Sequence, residues 1–132
     1  MAEYIFKHYA KQENIEVDVC SRATSYEEIG NDIYYKAKYI LDYYHISYGK
    51  HQAKRITEKE YSEADIVIVM DTNNYYNLKR IVSKMEKVHY LKEYSVGFGE
   101  IEDPWYTNNF DKVFNEIKDG VLGLIKSLKE GD

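Results

Sequence analysis

The sequence predicts a three-layer α/β fold in which helices cover both faces of an open parallel sheet. The first observation is the stretch Asp65–Asp71, where five consecutive apolar residues, mostly β-branched, stand between two aspartates. Such a run is typical of a strand that is buried on both faces. The second observation is the helical spacing of the apolar residues that follow, from Tyr75 to Met85. The third is the alternation of strand-like and helix-like segments along the chain, three strands and five helices in all.

Length and composition predict a single domain, residues 1–132. Apolar residues make up 44% of the chain and charged residues 31%, and the net charge is -5. The absence of a long basic run argues against nucleic-acid binding and against a polybasic membrane anchor. No segment approaches the roughly 20 apolar residues of a membrane span, and no signal-peptide pattern opens the chain. We therefore expect a cytoplasmic protein.

The amino-terminal part predicts one helix and one strand. Apolar residues recur at helical spacing over Met1–Gln12, but the Ser, Thr, Asp or Asn cap that such a helix normally carries is missing. The chain is therefore expected to be cut at its amino end. A strand is predicted within Asn14–Ser25, because Ile15, Val17 and Val19 alternate with polar residues.

The single cysteine, Cys20, lies at the end of that strand. A cysteine in this position is expected to be a small buried apolar residue, and a reactive thiolate is the alternative. One cysteine excludes an internal disulfide and provides no metal cluster. We expect neither a metal nor a cofactor.

Two helices are predicted before the buried strand. Apolar residues with helical spacing indicate the first over Ile33–Tyr44. The second is short and is indicated by Thr57 and Glu60, which have the spacing of a capping box. Ile56 and Tyr61 stand on either side of that box as a hydrophobic staple.

Two further elements close the chain. The stretch Lys87–Lys92 is short and polar, which is typical of a strand near a sheet edge. A loop is predicted over Glu100–Asn109. Apolar residues then recur at helical spacing from Phe110 to Leu128 and predict a long last helix.

The carboxyl end of the buried strand is predicted to face a ligand-binding crevice, as in other open α/β sheets. Asp71 and Asn74 would face this crevice. A carboxylate at such a place is also a common helix cap or turn former, and both interpretations are open. His51, in a basic irregular segment, could orient a loop, act in acid–base chemistry or be solvated.

Five stretches carry a further signal through their order and spacing: Met1–Phe6, Ser21–Asn31, His51-Gln52-Ala53 with Arg55 and Ile56, Val69-Met70-Asp71 with Asn74, and Asp103-Pro104-Trp105-Tyr106. Taken together, they resemble the low-molecular-weight protein tyrosine phosphatases. The resemblance covers essentially the whole chain, and the Asp-Pro-aromatic-Tyr sequence before the last helix is its most specific part.

The resemblance implies roles for individual residues. Asp103 matches the general acid that protonates the departing phenolate, and the neighbouring Glu102 could raise its pKa by like-charge repulsion. Tyr26, Trp105 and Tyr106 match the substrate pocket, with packing of a surface loop as the other interpretation. The positions that support the phosphate-binding loop are matched by Ser21, His51 and Asp71.

The family's nucleophile and phosphate-binding loop are missing from this chain. That loop holds a cysteine, five residues, an arginine and then serine or threonine, and it follows a first strand. Cys20 does not fit the pattern, since Tyr26 stands where the arginine is required. With no loop to hold, Ser21 and His51 are expected to be orphaned polar residues.

The resemblance implies a phosphotyrosine phosphatase I-like fold that is missing its central first strand. The missing strand would leave a slot of about 10 Å between the strand at 15–19 and the buried strand at 65–71. We expect the slot to be closed by repacking, by strand exchange in a homo-oligomer, or by residues outside this sequence.

The leading functional interpretation is an enzyme that acts, in its complete form, on a phosphotyrosine protein or a small aryl phosphate, while this chain is inactive. The alternative is a non-catalytic pseudo-phosphatase that serves in binding or assembly. A flavodoxin-like or receiver-like signalling domain, with Asp71 as the functional acid, is a third possibility. The related arsenate reductases share the phosphatase scaffold and need the same missing loop.

Overall fold

The computed structural model describes residues 1–24, 35–49, 54–95, 100–101 and 109–130. All five predicted helices are present, and the described part contains two of the three predicted strands. In chain order the elements are α1 (Ala2–Gln12), α2 (Tyr35–Tyr43), α3 (Glu58–Glu63), β1 (Val67–Val69), α4 (Thr72–Lys79), β2 (Val88–Tyr90), a 3-10 helix (Leu91–Tyr94) and α5 (Phe110–Lys129). None of the helices in these ranges is both long enough and apolar enough to cross a membrane.

The two strands form a parallel pair, which confirms the α/β class. Val67 lies opposite Val88 and Val69 lies opposite Tyr90. The chain passes from β1 through α4 to reach β2, as expected for a parallel crossover. Helix and strand therefore alternate here as the sequence predicts.

The prediction of a strand within Asn14–Ser25 is wrong for the described residues 14–24, which form no strand. This segment makes a single isolated parallel bridge, between Ala23 and Arg55. The nitrogen of Ala23 donates to the Lys54 oxygen at 2.6 Å, and the Ile56 nitrogen donates to the Ala23 oxygen at 2.9 Å. A strand needs a neighbour for its ladder, and no described strand lies beside residues 15–20. The alternating pattern predicts an extended chain but not its partner.

Strand β1 lies between two apolar clusters, as predicted for the stretch Asp65–Asp71, although only Val69 of its three residues is buried and the other two are half-buried. Ile66, Ile68 and Met70 pack on the first cluster, which α1, α2 and α5 form. Val69 is buried in the second cluster, beside α3 and α4. Alternate residues of one strand therefore contact opposite layers, which is the three-layer arrangement. The most deeply buried members of the first cluster are Ile5, Leu41, Leu91, Ile101, Val113, Phe114, Val121 and Ile125.

The capping box predicted before β1 is confirmed. The hydroxyl of Thr57 accepts from the Glu60 nitrogen at 3.1 Å, and the Glu60 carboxylate accepts from the Thr57 nitrogen at 3.1 Å. Tyr61 and Ile56 lie in the same apolar cluster, in keeping with the predicted staple. The other end of α3 is held by Lys87, whose ammonium donates to three backbone oxygens of residues 61–64 at 2.9 to 3.1 Å.

Two glycines allow α5 to pack closely on the 3-10 helix. A Cβ at Gly120 would lie 2.6 Å from the Leu91 Cγ, and a Cβ at Gly123 would overlap the backbone oxygen of Tyr94. The backbone of α5 therefore reaches the turn that follows β2 without side chains in between. This contact fixes the turn against the last helix.

Candidate functional site

The amino end of α1 is joined to Ser21 through the carboxylate of Glu3. One oxygen of Glu3 accepts from the Ser21 nitrogen at 3.0 Å and from its hydroxyl at 2.8 Å. The other oxygen accepts from the Lys7 ammonium at 2.7 Å. The expectation that Ser21 is an orphaned polar residue is therefore wrong, because a carboxylate on the first turn of α1 takes both of its donors.

The carboxylate of Glu3 is held in its charged form. Burial raises its pKa, but the hydrogen bonds from Lys7 and Ser21 outweigh that effect and hold the pKa below its usual value. The hydrogen bond to Glu3 in turn raises the pKa of Lys7. Helix α1 has no side-chain cap at Met1, as predicted. The negative charge of Glu3 in its first turn also complements the helix dipole. At the same place, burial lowers the pKa of the Met1 amino group.

Arg22 extends this connection to α3. Its Nε donates to the Glu60 carboxylate at 2.7 Å, and its Nη1 donates to the backbone oxygen of Ser21 at 2.8 Å. Glu60 is also the residue that caps α3 with Thr57. A continuous polar network therefore joins the first turns of α1 and α3 to the backbone at Ser21.

At the carboxyl end of β1, Asp71 is the cap of α4. Its Oδ1 accepts from the Asn74 nitrogen at 2.7 Å, and the Asn74 Oδ1 accepts from the Met70 nitrogen at 3.2 Å. Of the two interpretations open for this carboxylate, the structure shows the cap. The reciprocal bonds fix the turn between β1 and α4 at the edge where a ligand crevice is expected.

The segment before residues 102–108 is anchored at the same edge. The Ile101 nitrogen donates to the Met70 oxygen at 2.8 Å, and Ile101 is buried. The carboxylate of Glu100 accepts from the backbone nitrogen of Thr72, and this bond lowers the Glu100 pKa. In the sequence, Asp103 therefore follows by two residues a point that is fixed to the end of β1.

Two of the site residues expected from the sequence, Ser21 and Asp71, fall within the described part of the chain. The other five lie outside the described residues: Tyr26, His51, Asp103, Trp105 and Tyr106. Ser21 and Asp71 occupy separate networks, Ser21 with α1 and α3 and Asp71 with α4.

Cys20 is exposed, so the expectation that it is buried is wrong. Ile15 and Val19 contact the first cluster, while Cys20 follows one residue further on at the surface. Over the described ranges, no group of three or more His, Cys, Asp or Glu side chains could hold a metal ion.

Sequence reasoning missed Glu3 and Arg22. A glutamate in the first turn of an uncapped helix is a recognised stabilising pattern and could have drawn attention to Glu3. The pairing of Arg22 with Glu60 joins residues 38 positions apart and leaves no local signal.

Comparison with known proteins gives a consistent result. A family model described as low molecular weight phosphotyrosine protein phosphatase matches residues 1–132. The low molecular weight protein-tyrosine-phosphatase PtpA of Staphylococcus epidermidis is 30% identical over 128 residues, covering 95% of this chain and 82% of the relative. YfkJ of Bacillus subtilis, a protein of the same description, is 28% identical over 136 residues, covering 98% and 87%.

Two solved structures are similar to this chain in fold. The crystal structure of YfkJ from Bacillus subtilis superposes with a TM-score of 0.89 at 28% identity, covering 99% of this chain and 87% of that one. SP-PTP, a low molecular weight protein tyrosine phosphatase from Streptococcus pyogenes, superposes with a TM-score of 0.81 at 31% identity, covering 96% and 82%.

Proposed function

Because the chain belongs to the low molecular weight phosphotyrosine protein phosphatase family, we propose that its complete form hydrolyses phosphotyrosine monoesters. The observation that carries the proposal is the family match over all 132 residues. Relatives from two bacterial genera, both named as protein-tyrosine-phosphatases, support it. A receiver-like or flavodoxin-like domain receives no support from these comparisons.

The proposed chemistry is a displacement at phosphorus in two steps. A cysteine thiolate attacks the phosphorus, the bond to the aryl oxygen breaks, and Asp103 gives its proton to the departing phenolate. Water then cleaves the phosphocysteine and releases inorganic phosphate. Backbone amides and an arginine stabilise the charge on the phosphoryl oxygens in both steps. No cofactor is required.

The 132-residue chain itself is proposed to be inactive. It has one cysteine, Cys20, and Tyr26 stands where the family pattern requires arginine. In subtilisin, removal of the nucleophile alone costs about 10⁶-fold in kcat. The 132 residues contain neither the cysteine–arginine pattern nor the loop that the resemblance requires.

The described geometry supports the placement of Asp103. Ile101, two residues before Asp103 in the sequence, is bonded to Met70 at the end of β1. From the resemblance to the family, Tyr26, Trp105 and Tyr106 are proposed to line the pocket for the aryl ring. Loop support remains the proposed role of Ser21, His51 and Asp71.

The test is hydrolysis of a chromogenic aryl phosphate by the 132-residue chain and by a version extended upstream to the next in-frame start. Intact mass confirms both proteins, and vanadate serves as the inhibitor control. We expect vanadate-sensitive turnover in the extended protein alone.

The other outcomes decide against parts of the proposal. Activity in neither protein would favour the non-catalytic binding module, for which the missing Cys and Arg pattern is the supporting observation. Activity in the short chain would mean that the nucleophile has been placed wrongly.

Repair of the sheet by strand exchange in a homo-oligomer remains a further proposal. A cytoplasmic location is another, and the single cysteine supports it.

A further inference from the structure

Residues 100 and 101 are bound to three different elements. The nitrogen of Ile101 donates to the Met70 oxygen at the end of β1, at 2.8 Å. The carboxylate of Glu100 accepts from the backbone nitrogen of Thr72, the first residue of α4. The backbone oxygen of Glu100 accepts from the Lys92 ammonium, on the 3-10 helix, at 3.4 Å. These two adjacent residues are therefore held by β1, α4 and the 3-10 helix together.

The two residues are held for different physical reasons. Ile101 is 1% exposed and lies in the first apolar cluster, so burial fixes its place. Glu100 is exposed, and its bond depends on the first N–H groups of α4, which have no partner inside the helix. The bond from Thr72 lowers the Glu100 pKa. At neutral pH the carboxylate is therefore charged, and the positive end of the helix dipole favours it.

Helix α4 has another cap besides Glu100. Asp71 accepts from the Asn74 nitrogen at 2.7 Å, which is the usual bond of an N-cap residue. The N–H of Thr72 is one that water can satisfy at a helix end. The bond between Thr72 and Glu100 therefore matters more for the segment at 100–101 than for the start of α4.

The position of this anchor matters for Asp103, which follows Glu100 by three residues in the sequence. A chain advances at most about 3.6 Å per residue, so a nearby anchor limits the places that the Asp103 carboxyl can reach. A general acid must come within about 3 Å of the atom that it protonates. An error of about 1 Å in such a placement can cost on the order of 10²-fold in rate.

We propose that Glu100 is a positioning residue for Asp103. Its carboxylate binds the first N–H of α4 and thereby sets the direction in which the chain continues from the end of β1 toward Asp103. The inference rests on the proposed function, in which Asp103 protonates the departing phenolate. Glu100 itself transfers no proton in this role.

Substrates with different leaving groups separate positioning from a general loss of activity. In the upstream-extended protein, Glu100→Ala is expected to lower kcat by about 10- to 10²-fold for an aryl phosphate with a poor leaving group. For an aryl phosphate whose phenolate needs no proton, kcat should change by less than about twofold. Glu100→Gln keeps an acceptor for the Thr72 nitrogen and is expected to restore part of the rate, since an uncharged bond is about half as strong.

The matched control is Glu58→Ala, which removes an exposed glutamate from the first turn of α3. It changes the same charge at another helix start and is expected to leave both rates unchanged. Equal losses of kcat on the two substrates in Glu100→Ala would overturn the proposal, because a merely structural role affects both alike.

The donor of the bond can be removed as well. Thr72→Pro deletes the N–H at the first position of α4, where proline is favoured. Asp71 before it is extended, with φ -139° and ψ 173°, as a residue before proline prefers. We expect the same dependence on the leaving group as in Glu100→Ala, and no further loss in the double variant. Losses that multiply in the double variant would contradict the proposed bond.

A second readout does not require activity. Trp105 is the single tryptophan and follows Asp103 by two residues. In the 132-residue chain, Glu100→Ala is expected to shift the emission of Trp105 and to increase its quenching by acrylamide. Glu58→Ala should leave both unchanged, and thermal melting confirms that each variant is folded.

The two readouts distinguish this inference from the proposed function. Inactivity of the extended protein would reject the proposed function, while the emission of Trp105 would still decide whether Glu100 positions this stretch. Unchanged emission and quenching in Glu100→Ala would overturn the positioning role even if the extended protein is an active phosphatase.

Discussion

At the residue scale, the Glu3 carboxylate organises the amino end of α1. It accepts three hydrogen bonds, two from Ser21 and one from Lys7. Because a carboxylate has no proton to give, the hydroxyl of Ser21 must donate to it. The Ser21 oxygen is then limited to accepting hydrogen bonds on its other side.

Replacement of Glu3 by Gln is expected to destabilise the fold by about 1–3 kcal/mol near pH 7, because charge-assisted bonds to Ser21 and Lys7 are weakened. Urea unfolding measures the difference. Glu13→Gln, in an exposed pair with Lys129, is the control and is expected to cost less than about 1 kcal/mol. Equal losses in the two variants would contradict the assigned role of Glu3.

The difference in stability between the natural chain and Glu3→Gln is expected to depend on pH. The pKa of Glu3 is lowered on folding from the ordinary 4.5. Its contribution is therefore fully present above pH 4.5 and is lost as the pH falls through the lowered pKa of the folded state. The stability gap between the natural chain and Glu3→Gln should be constant from pH 7 to 5 and should narrow in more acidic solution. Urea titrations at successive pH values test this, and a gap that widens on acidification would refute it.

Asp103→Asn in the extended protein is expected to lower kcat by about 10²- to 10⁴-fold for a substrate with a poor leaving group. The loss should be much smaller for an aryl phosphate whose phenolate needs no proton. Steady-state rates on the two substrates measure the difference, with Asp111→Asn on α5 as the control. Equal losses on both substrates would show that Asp103 does not protonate the leaving group.

At the element scale, the last helix depends on close backbone contact. Gly123 faces the backbone oxygen of Tyr94, and Gly120 faces the Leu91 side chain. Alanine at position 123 would gain about 1 kcal/mol of helix propensity. The backbone of the 3-10 helix cannot move aside as a flexible side chain could, so overpacking outweighs that gain.

Gly123→Ala is therefore expected to lower the stability by about 1–3 kcal/mol. The midpoint of thermal unfolding gives the effect. Gly49→Ala, at a position with open space around the added Cβ, is the matched control and should leave the midpoint nearly unchanged. An unchanged or raised midpoint for Gly123→Ala would mean that α5 does not lie this close to the turn.

Elements with a local signal could be predicted from the sequence. The capping box of α3 needs only Thr57 and Glu60, and the buried strand needs only its apolar run. The strand at 15–19 could not be settled in this way, because a ladder depends on a neighbour that the local pattern does not encode.

At the scale of the whole molecule, β1 is bonded along one edge. The Val67 nitrogen donates to the Lys87 oxygen at 3.1 Å, so the backbone groups of Ile68 face the other edge. Within the described part of the chain, Ile68 has no hydrogen-bond partner on that side. The proposed slot in the sheet lies along this edge.

Hydrogen exchange of the 132-residue chain is expected to be at least about tenfold faster at the Ile68 amide than at the Val67 amide. In the upstream-extended protein, the Ile68 amide should become as slow as its neighbour, because a strand there would supply an acceptor. Residue-resolved exchange measured by NMR compares the two proteins, with the Val67 amide as the internal control. Strong protection of Ile68 in the short chain would show that the slot is already closed.

The hydrogen bond between Ile101 and Met70 also has a consequence for how the sequence can change in evolution. Residues 102–108 are connected to fixed points at Ile101 and at Phe110, the buried first residue of α5. Doubling the length of a connection between fixed ends costs only about 0.6 kcal/mol of closure entropy. Lengthening of this stretch is therefore expected to cost little closure entropy. Descendants of one scaffold can vary what they recognise while inheriting the same framework.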